Sequence, residues 1–127
     1  MARAYVDTSC LVSVLLNERG STDVRRRLGR FDELLASTFL EAELRATLHR
    51  ERVPTLPPIL TGITWILPNR PLGPEITRVL AAGYVRGADC WHLATALYAA
   101  QDPATLAFLT LDQSQAAVGA KLGFAMP

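Results

Sequence analysis

The chain has 127 residues, 50% hydrophobic and 20% charged, a balance that predicts one globular domain over residues 1–127 and leaves no room for two independent ones. A chain of this length buries enough surface to hold together without disulfides or a structural metal. With 13 Lys+Arg against 12 Asp+Glu, the formal net charge is +1, so there is no global pull toward nucleic acid or membrane and any anion-binding surface has to be local.

Residues 2–6 form a short extended run that ends at Asp7. Thr8 and Ser9 follow as helix N-cap candidates, ahead of the apolar residues Leu11, Val12, Val14, Leu15 and Leu16. Gly20 and Ser21 break that pattern. Residues 24–28 then read as a basic helix whose Arg25, Arg26 and Arg27 face solvent. Residues 33–37 are the second strand, and residues 38–52 a helix that Pro54 stops. Prolines punctuate the middle of the chain, where a short helix near 58–62 and a third strand at 64–67 are predicted. Residues 74–85 form a helix with Pro74 in its first turn, and residues 89–100 an Ala- and Leu-rich one. A fourth strand at 106–110, a helix at 113–122 and an edge strand at 124–126 complete the pattern. Strands alternating with helices predict a three-layer α/β/α sandwich around a mainly parallel sheet of four to five strands.

Cys10 and Cys90 lack CxxC or Cys/His spacing and read as reduced core thiols. No stretch approaches the ~20 apolar residues of a membrane span, and the first residues reach Asp7 before any signal-like run, so a cytoplasmic protein is expected.

In a parallel sheet, ligands bind beyond the carboxyl ends of the strands. Asp7 ends the first strand, Asp112 follows the fourth, and Asp89 opens a helix in Gly-Ala-Asp-Cys-Trp-His. Capping explains any one of these aspartates taken alone. Thr38 to Glu41 fits a capping box, and Glu41 also lies one turn before Arg45, as on a solvated face. Glu43 turns instead toward the apolar side, in register with Phe39 and Leu40. A carboxylate there requires a positive partner, either a shared divalent cation or an arginine from elsewhere in the chain. Four carboxylates meeting at one sheet end suit Mg²⁺ or Mn²⁺.

Four segments together resemble the PIN-domain ribonucleases, and among them the VapC-like toxins of bacterial toxin–antitoxin modules. They are Tyr-Val-Asp-Thr-Ser with Asp7, Ser-Thr-Phe-Leu-Glu-Ala-Glu-Leu-Arg with Glu43, Gly-Ala-Asp-Cys-Trp-His-Leu-Ala-Thr-Ala with Asp89, and Phe-Leu-Thr-Leu-Asp-Gln-Ser-Gln-Ala-Ala with Asp112. The resemblance implies a metal-dependent endoribonuclease in which Asp7, Glu43, Asp89 and Asp112 surround one or two Mg²⁺ or Mn²⁺ ions and metal-activated water hydrolyses RNA. It also implies a homodimer held inactive by a cognate antitoxin protein that itself carries the operator DNA contact. Thr110 and the hydroxyl of Thr8 or Ser9 are expected close to the site, with backbone capping as their competing role.

Glu41 is the alternative acid on the same helix, although the facing favours Glu43. His92, one turn after Asp89, is a candidate substrate contact or proton shuttle, against a packing role. Arg86 is the best-placed cation for a substrate phosphate or the antitoxin. Arg25, Arg26, Arg27 and Arg30 read as a solvated face, and Trp65 and Trp91 as core. Two other readings remain. One is a PIN-like binding or dimerisation module without catalysis; the other is an Asp-nucleophile phosphatase, which requires a second Asp where Ser9 stands.

Overall fold

A computed structural model describes residues 1–127. Four parallel strands, β1 (Arg3–Val6), β2 (Glu33–Ser37), β3 (Ile63–Ile66) and β4 (Ala107–Leu109), form one sheet in the order β3-β2-β1-β4. The helices are α1 (Thr8–Leu15), α2 (Ser21–Leu28), α3 (Thr38–Arg50), α4 (Gly73–Ala82), α5 (Gly87–Ala99) and α6 (Gln113–Leu122). Short 3₁₀ turns occupy Pro58–Gly62 and Pro103–Thr105.

Strand alternation divides the core into two layers. Tyr5 stands opposite both Leu35 and Phe108, and these three pack under Val79 of α4, Leu93 of α5 and Val118 of α6. Ala4, Val6, Ala36 and Leu109 face the other way, against Leu11 of α1, Val24 of α2, and Leu40 and Leu44 of α3. The sheet is therefore sandwiched between α1–α3 and α4–α6, the three-layer architecture expected from the alternating pattern. Burial on both faces explains why the strands read as nearly continuous apolar runs.

After β1 the chain builds outward through β2 to β3, then returns to place β4 on the opposite side of β1. The strand order thus reverses at β1, and a crevice opens beyond its carboxyl end. Asp7 is the residue at that position.

Several boundaries differ from the sequence expectation, and those at the helix starts have a local cause. Asp7, rather than Thr8 or Ser9, caps α1: its backbone is still extended while its carboxylate accepts from the Ser9 amide. Ser37 caps α3 in place of Thr38, with its Oγ accepting from the Phe39 amide at 3.1 Å. No capping box forms, because Glu41 turns to Arg45 at 2.9 Å. Helix α3 ends at Arg50, beyond which Arg52 adopts a left-handed φ of 58°. Helix α5 begins at Gly87 with Arg86 as its cap, two residues before Asp89. Helix α4 stops at Ala82, and β3 starts one residue early and leaves Leu67 exposed. The expected edge strand contributes one parallel bridge, Ala107 to Ala125. Replacing Ser37 with Ala is expected to destabilise the protein by about 1 kcal/mol through the lost cap. A urea midpoint unchanged by that substitution would show that the cap contributes nothing.

Candidate active site

The carboxyl ends of β1 and β4, together with the second turn of α3 and the first turn of α5, bring Asp7, Glu43, Asp89 and Asp112 to one end of the sheet. Asp7 is 5% exposed. Its Oδ2 accepts from the Ser9 amide at 3.3 Å and the Ser9 hydroxyl at 2.7 Å, and the Thr110 hydroxyl lies 3.2 Å away. Its Oδ1 has no hydrogen bond, with His92 Nε2 at 3.7 Å. Glu43 Oε1 accepts from the Thr8 hydroxyl at 2.7 Å and faces His92 Nε2 at 2.9 Å, which leaves Oε2 without a partner. Asp112 Oδ1 caps α6 by accepting from the Gln115 amide at 2.8 Å. Asp89 caps nothing, and its nearest cation is Arg86 Nε at 4.0 Å.

Capping and site chemistry therefore coexist. Asp7 and Asp112 each commit one oxygen to a helix start and keep the other free. Ser13 Oγ is the only buried side-chain N or O atom without a partner, so the unpaired carboxylate oxygens reach solvent. A cavity of about 290 Å³ between Arg86, Asp89, Asp112, Ser114, Tyr84 and Val85 opens beside them. Burial, and then the like charges of Asp7 and Asp112, push the Asp89 carboxyl above the ordinary aspartate range, against the pull of Arg86.

Asp7, Glu43, Asp89 and Asp112 share one end of the sheet, but no three His, Cys, Asp or Glu side chains are arranged so that they could hold a metal ion together. Asp89 and Asp112 line the cavity while Asp7 and Glu43 meet at His92, and each acid keeps a hard oxygen free of protein donors. That donor set fits a small divalent cation held by one or two carboxylates while it keeps several waters, the usual arrangement for Mg²⁺. The mutual repulsion felt at Asp89 is the electrostatic condition that such a cation relieves.

Glu43, and not Glu41, stands beside Asp7; Glu41 is paired with Arg45 on the outer face. The partner that Glu43 meets is a histidine, where sequence reasoning weighed a metal or an arginine. His92 itself is 1% exposed with both ring nitrogens engaged, so the expectation of a substrate contact through this side chain gives way to a buried one. Ser9 and Thr110 do lie at the site, both bonded to Asp7, and Ser9 Oγ also accepts from the Leu111 amide at 3.0 Å. Arg86 is largely exposed above Asp89.

Two residues of the site went unnoticed in the sequence. Tyr5, fully buried, holds its hydroxyl 2.8 Å from His92 Nδ1 and accepts from the Ser37 amide at 3.2 Å. Burial pushes this phenol well above its usual pKa, so it remains a neutral donor. Gln115, also fully buried, places Oε1 2.7 Å from the Thr110 hydroxyl and Nε2 3.3 Å from the Asp89 carbonyl, linking β4 to α5. Its place three residues after the helix-capping Asp112 was the available signal.

The remaining candidates behave as structure. Arg26 and Arg27 pair with Asp23 on the outer face of α2. Trp65 and Trp91 pack half-buried against the two core layers. Cys10 and Cys90 are free and buried, and burial raises the Cys10 thiol to about 12. No helix is long and apolar enough to cross a membrane.

A parallel α/β/α sandwich with an acid-lined crevice at its topological switch point defines the class of this protein. The family model for the PIN domain matches residues 4–121, and the chain belongs to that family, a nuclease fold. Comparison with curated proteins and with solved structures finds no match.

Proposed function

We propose that the protein is a divalent-metal-dependent endoribonuclease and the toxin half of a toxin–antitoxin pair. The observation that carries the reading is the crevice itself: four acids at one sheet end, each with an oxygen free of protein donors, and Asp89 shifted upward by burial and then by its neighbours' charge. One or two of Asp7, Glu43, Asp89 and Asp112 would hold Mg²⁺ or Mn²⁺ directly, with the others acting through its bound waters. When bound, the ion supplies a lowered pKa for water and charge stabilisation at phosphate. Ser9, Thr110 and Thr8 hold Asp7 and Glu43 in fixed rotamers. Arg86, exposed at the rim, is placed to pair with a phosphate of the RNA backbone.

Apolar side chains beside the crevice support a protein partner. Tyr84 is 81% exposed, Leu80 48% and Phe39 40%. With Trp91, Leu80 and Tyr84 border a hollow of about 370 Å³. This flank suits an antitoxin segment that covers the acids, or the second subunit of a homodimer. Operator DNA would be reached through the antitoxin alone.

Purified protein incubated with a mixed, structured RNA pool is expected to cut it in Mn²⁺ or Mg²⁺ and to stop when EDTA is added. Cutting that survives EDTA would refute a metal-dependent mechanism. Metal binding without cleavage of any RNA would favour a binding module on the same fold.

A further inference from the structure

We propose that Tyr5 and His92 form a buried positioning pair that fixes the Glu43 carboxylate, dictating which of its oxygens faces the crevice. The inference rests on the metal-site reading of Glu43, but its structural half can be tested without metal.

The assignment follows from counting protons along one chain of contacts. The Ser37 amide has a single proton and directs it to Tyr5 Oη at 3.2 Å. The phenol oxygen accepts from the backbone, and because the Glu43 carboxylate can only accept, the neutral ring carries its proton on Nε2, so the phenol proton is the one that points at His92 Nδ1, 2.8 Å away. An Nδ1 that accepts leaves the ring proton on Nε2. Nε2 then donates to Glu43 Oε1 at 2.9 Å. The Thr8 hydroxyl donates to the same oxygen at 2.7 Å. With two donors on Oε1, the carboxylate is held in one orientation and Oε2 is the oxygen left to face outward.

Packing fixes the rings as firmly as the hydrogen bonds do. Tyr5 stacks on Phe108 with centroids 5.3 Å apart and planes 9° from parallel. His92 lies beneath Phe39 at 5.8 Å and meets the Tyr5 ring edge-on at 5.9 Å. Neither ring is open to solvent, so neither has water to exchange partners with. His92 Nε2 also sits 3.7 Å from Asp7 Oδ1, so the same ring nitrogen lies close to both acids. A core histidine kept only for volume requires no such ordered set of partners: β2 backbone, β1 phenol, α5 imidazole and α3 carboxylate are aligned from the sheet interior to the crevice.

Outer-shell partners of this kind typically change metal affinity 10–100-fold when removed. Three substitutions separate positioning from packing. Tyr5→Phe keeps the stacked ring and removes the proton that sets the tautomer. His92→Leu fills the space without a donor. His92→Gln returns an amide N–H toward Glu43.

The first readout is the ¹⁵N shift pair of the His92 ring in metal-free protein. Wild type is expected to show the Nε2–H tautomer alone, and Tyr5→Phe a mixture. The second is Mn²⁺ affinity by calorimetry. Tyr5→Phe and His92→Leu are expected to weaken it 10–100-fold and His92→Gln to recover most of the loss, with KM for RNA unchanged at saturating Mn²⁺. An Nδ1–H ring in wild type overturns the proposal. So does a Tyr5→Phe variant with wild-type tautomer and wild-type Mn²⁺ affinity, or a His92→Gln variant no better than a folded His92→Leu. A wild-type protein with the predicted tautomer but no affinity for Mn²⁺ would sink the metal-site reading, and with it the functional half of this pair.

Discussion

Replacement of Asp7 by Asn is expected to reduce RNA cleavage by about 10³-fold or more while leaving the protein folded. The fold survives because the structural work of Asp7 is done by one oxygen, Oδ2, which caps α1 and receives the Ser9 hydroxyl. Asn is as good an N-cap as Asp and presents the same acceptor there. Oδ1 is the atom that changes. It has no hydrogen bond and reaches the crevice at the point where the strand order reverses. Converting it to an amide N–H removes a hard anionic ligand and places a donor where a cation should sit. A loss of about 4 kcal/mol in transition-state stabilisation corresponds to that 10³-fold. Circular dichroism and the urea midpoint should match wild type within about 0.5 kcal/mol, since Asn substitutes for Asp as a cap. Full cleavage by Asp7→Asn would remove this residue from the chemistry and leave it as a cap.

The two roles of Asp7 also show what could be read from the sequence and what could not. The sandwich and the parallel sheet were legible because β1 through β4 are short apolar runs separated by helical periodicity, and burial on both faces imposes that pattern on the residues themselves. The acids were legible for a related reason: Asp7 and Asp112 stand at strand ends, and Glu43 stands on the inward side of its helix while Glu41 pairs outward with Arg45. Helix starts were less so. Ser37, Thr38, Asp7, Thr8 and Ser9 are all competent caps, and only the backbone angle at the junction chooses among them. Least legible was what meets Glu43. Tyr5 and His92 are 87 residues apart, and Tyr5 looks like any inward strand residue until the register sets it opposite Leu35 and the Ser37 amide arrives over its hydroxyl. Buried polar contacts made across the sheet leave no periodic trace.

Divalent cations are expected to stabilise the protein strongly, and more so as pH rises. Asp89 carries a raised pKa, caused first by burial and then by Asp7 and Asp112. The folded protein therefore holds the Asp89 proton more tightly than the unfolded chain does. The stability contributed by that proton is fully present below the ordinary aspartate pKa and is lost as pH rises through the higher folded value. Above it the metal-free crevice contains mutually repelling carboxylates. A bound cation reverses that penalty, and it requires the deprotonated acid. Mn²⁺ at about a hundred times its Kd should add about 2.7 kcal/mol, or roughly 10 °C in the melting temperature of a domain this size. The gain should shrink toward zero as pH falls into the range where Asp89 is protonated. Asp89→Asn should remove much of the Mn²⁺ gain. In metal-free protein at neutral pH it should raise the melting temperature slightly, by roughly 2 °C or about 0.5 kcal/mol, a small effect because Asp89 is only partly buried and solvent screens its neighbours' charge. Opposite signs with and without metal distinguish a ligand from a cap: a helix-capping aspartate replaced by Asn, an equally good cap, would change stability little in either condition. Melting curves in EDTA and in Mn²⁺ at acidic and neutral pH decide it, and a metal-independent profile would rule out cation binding by these acids.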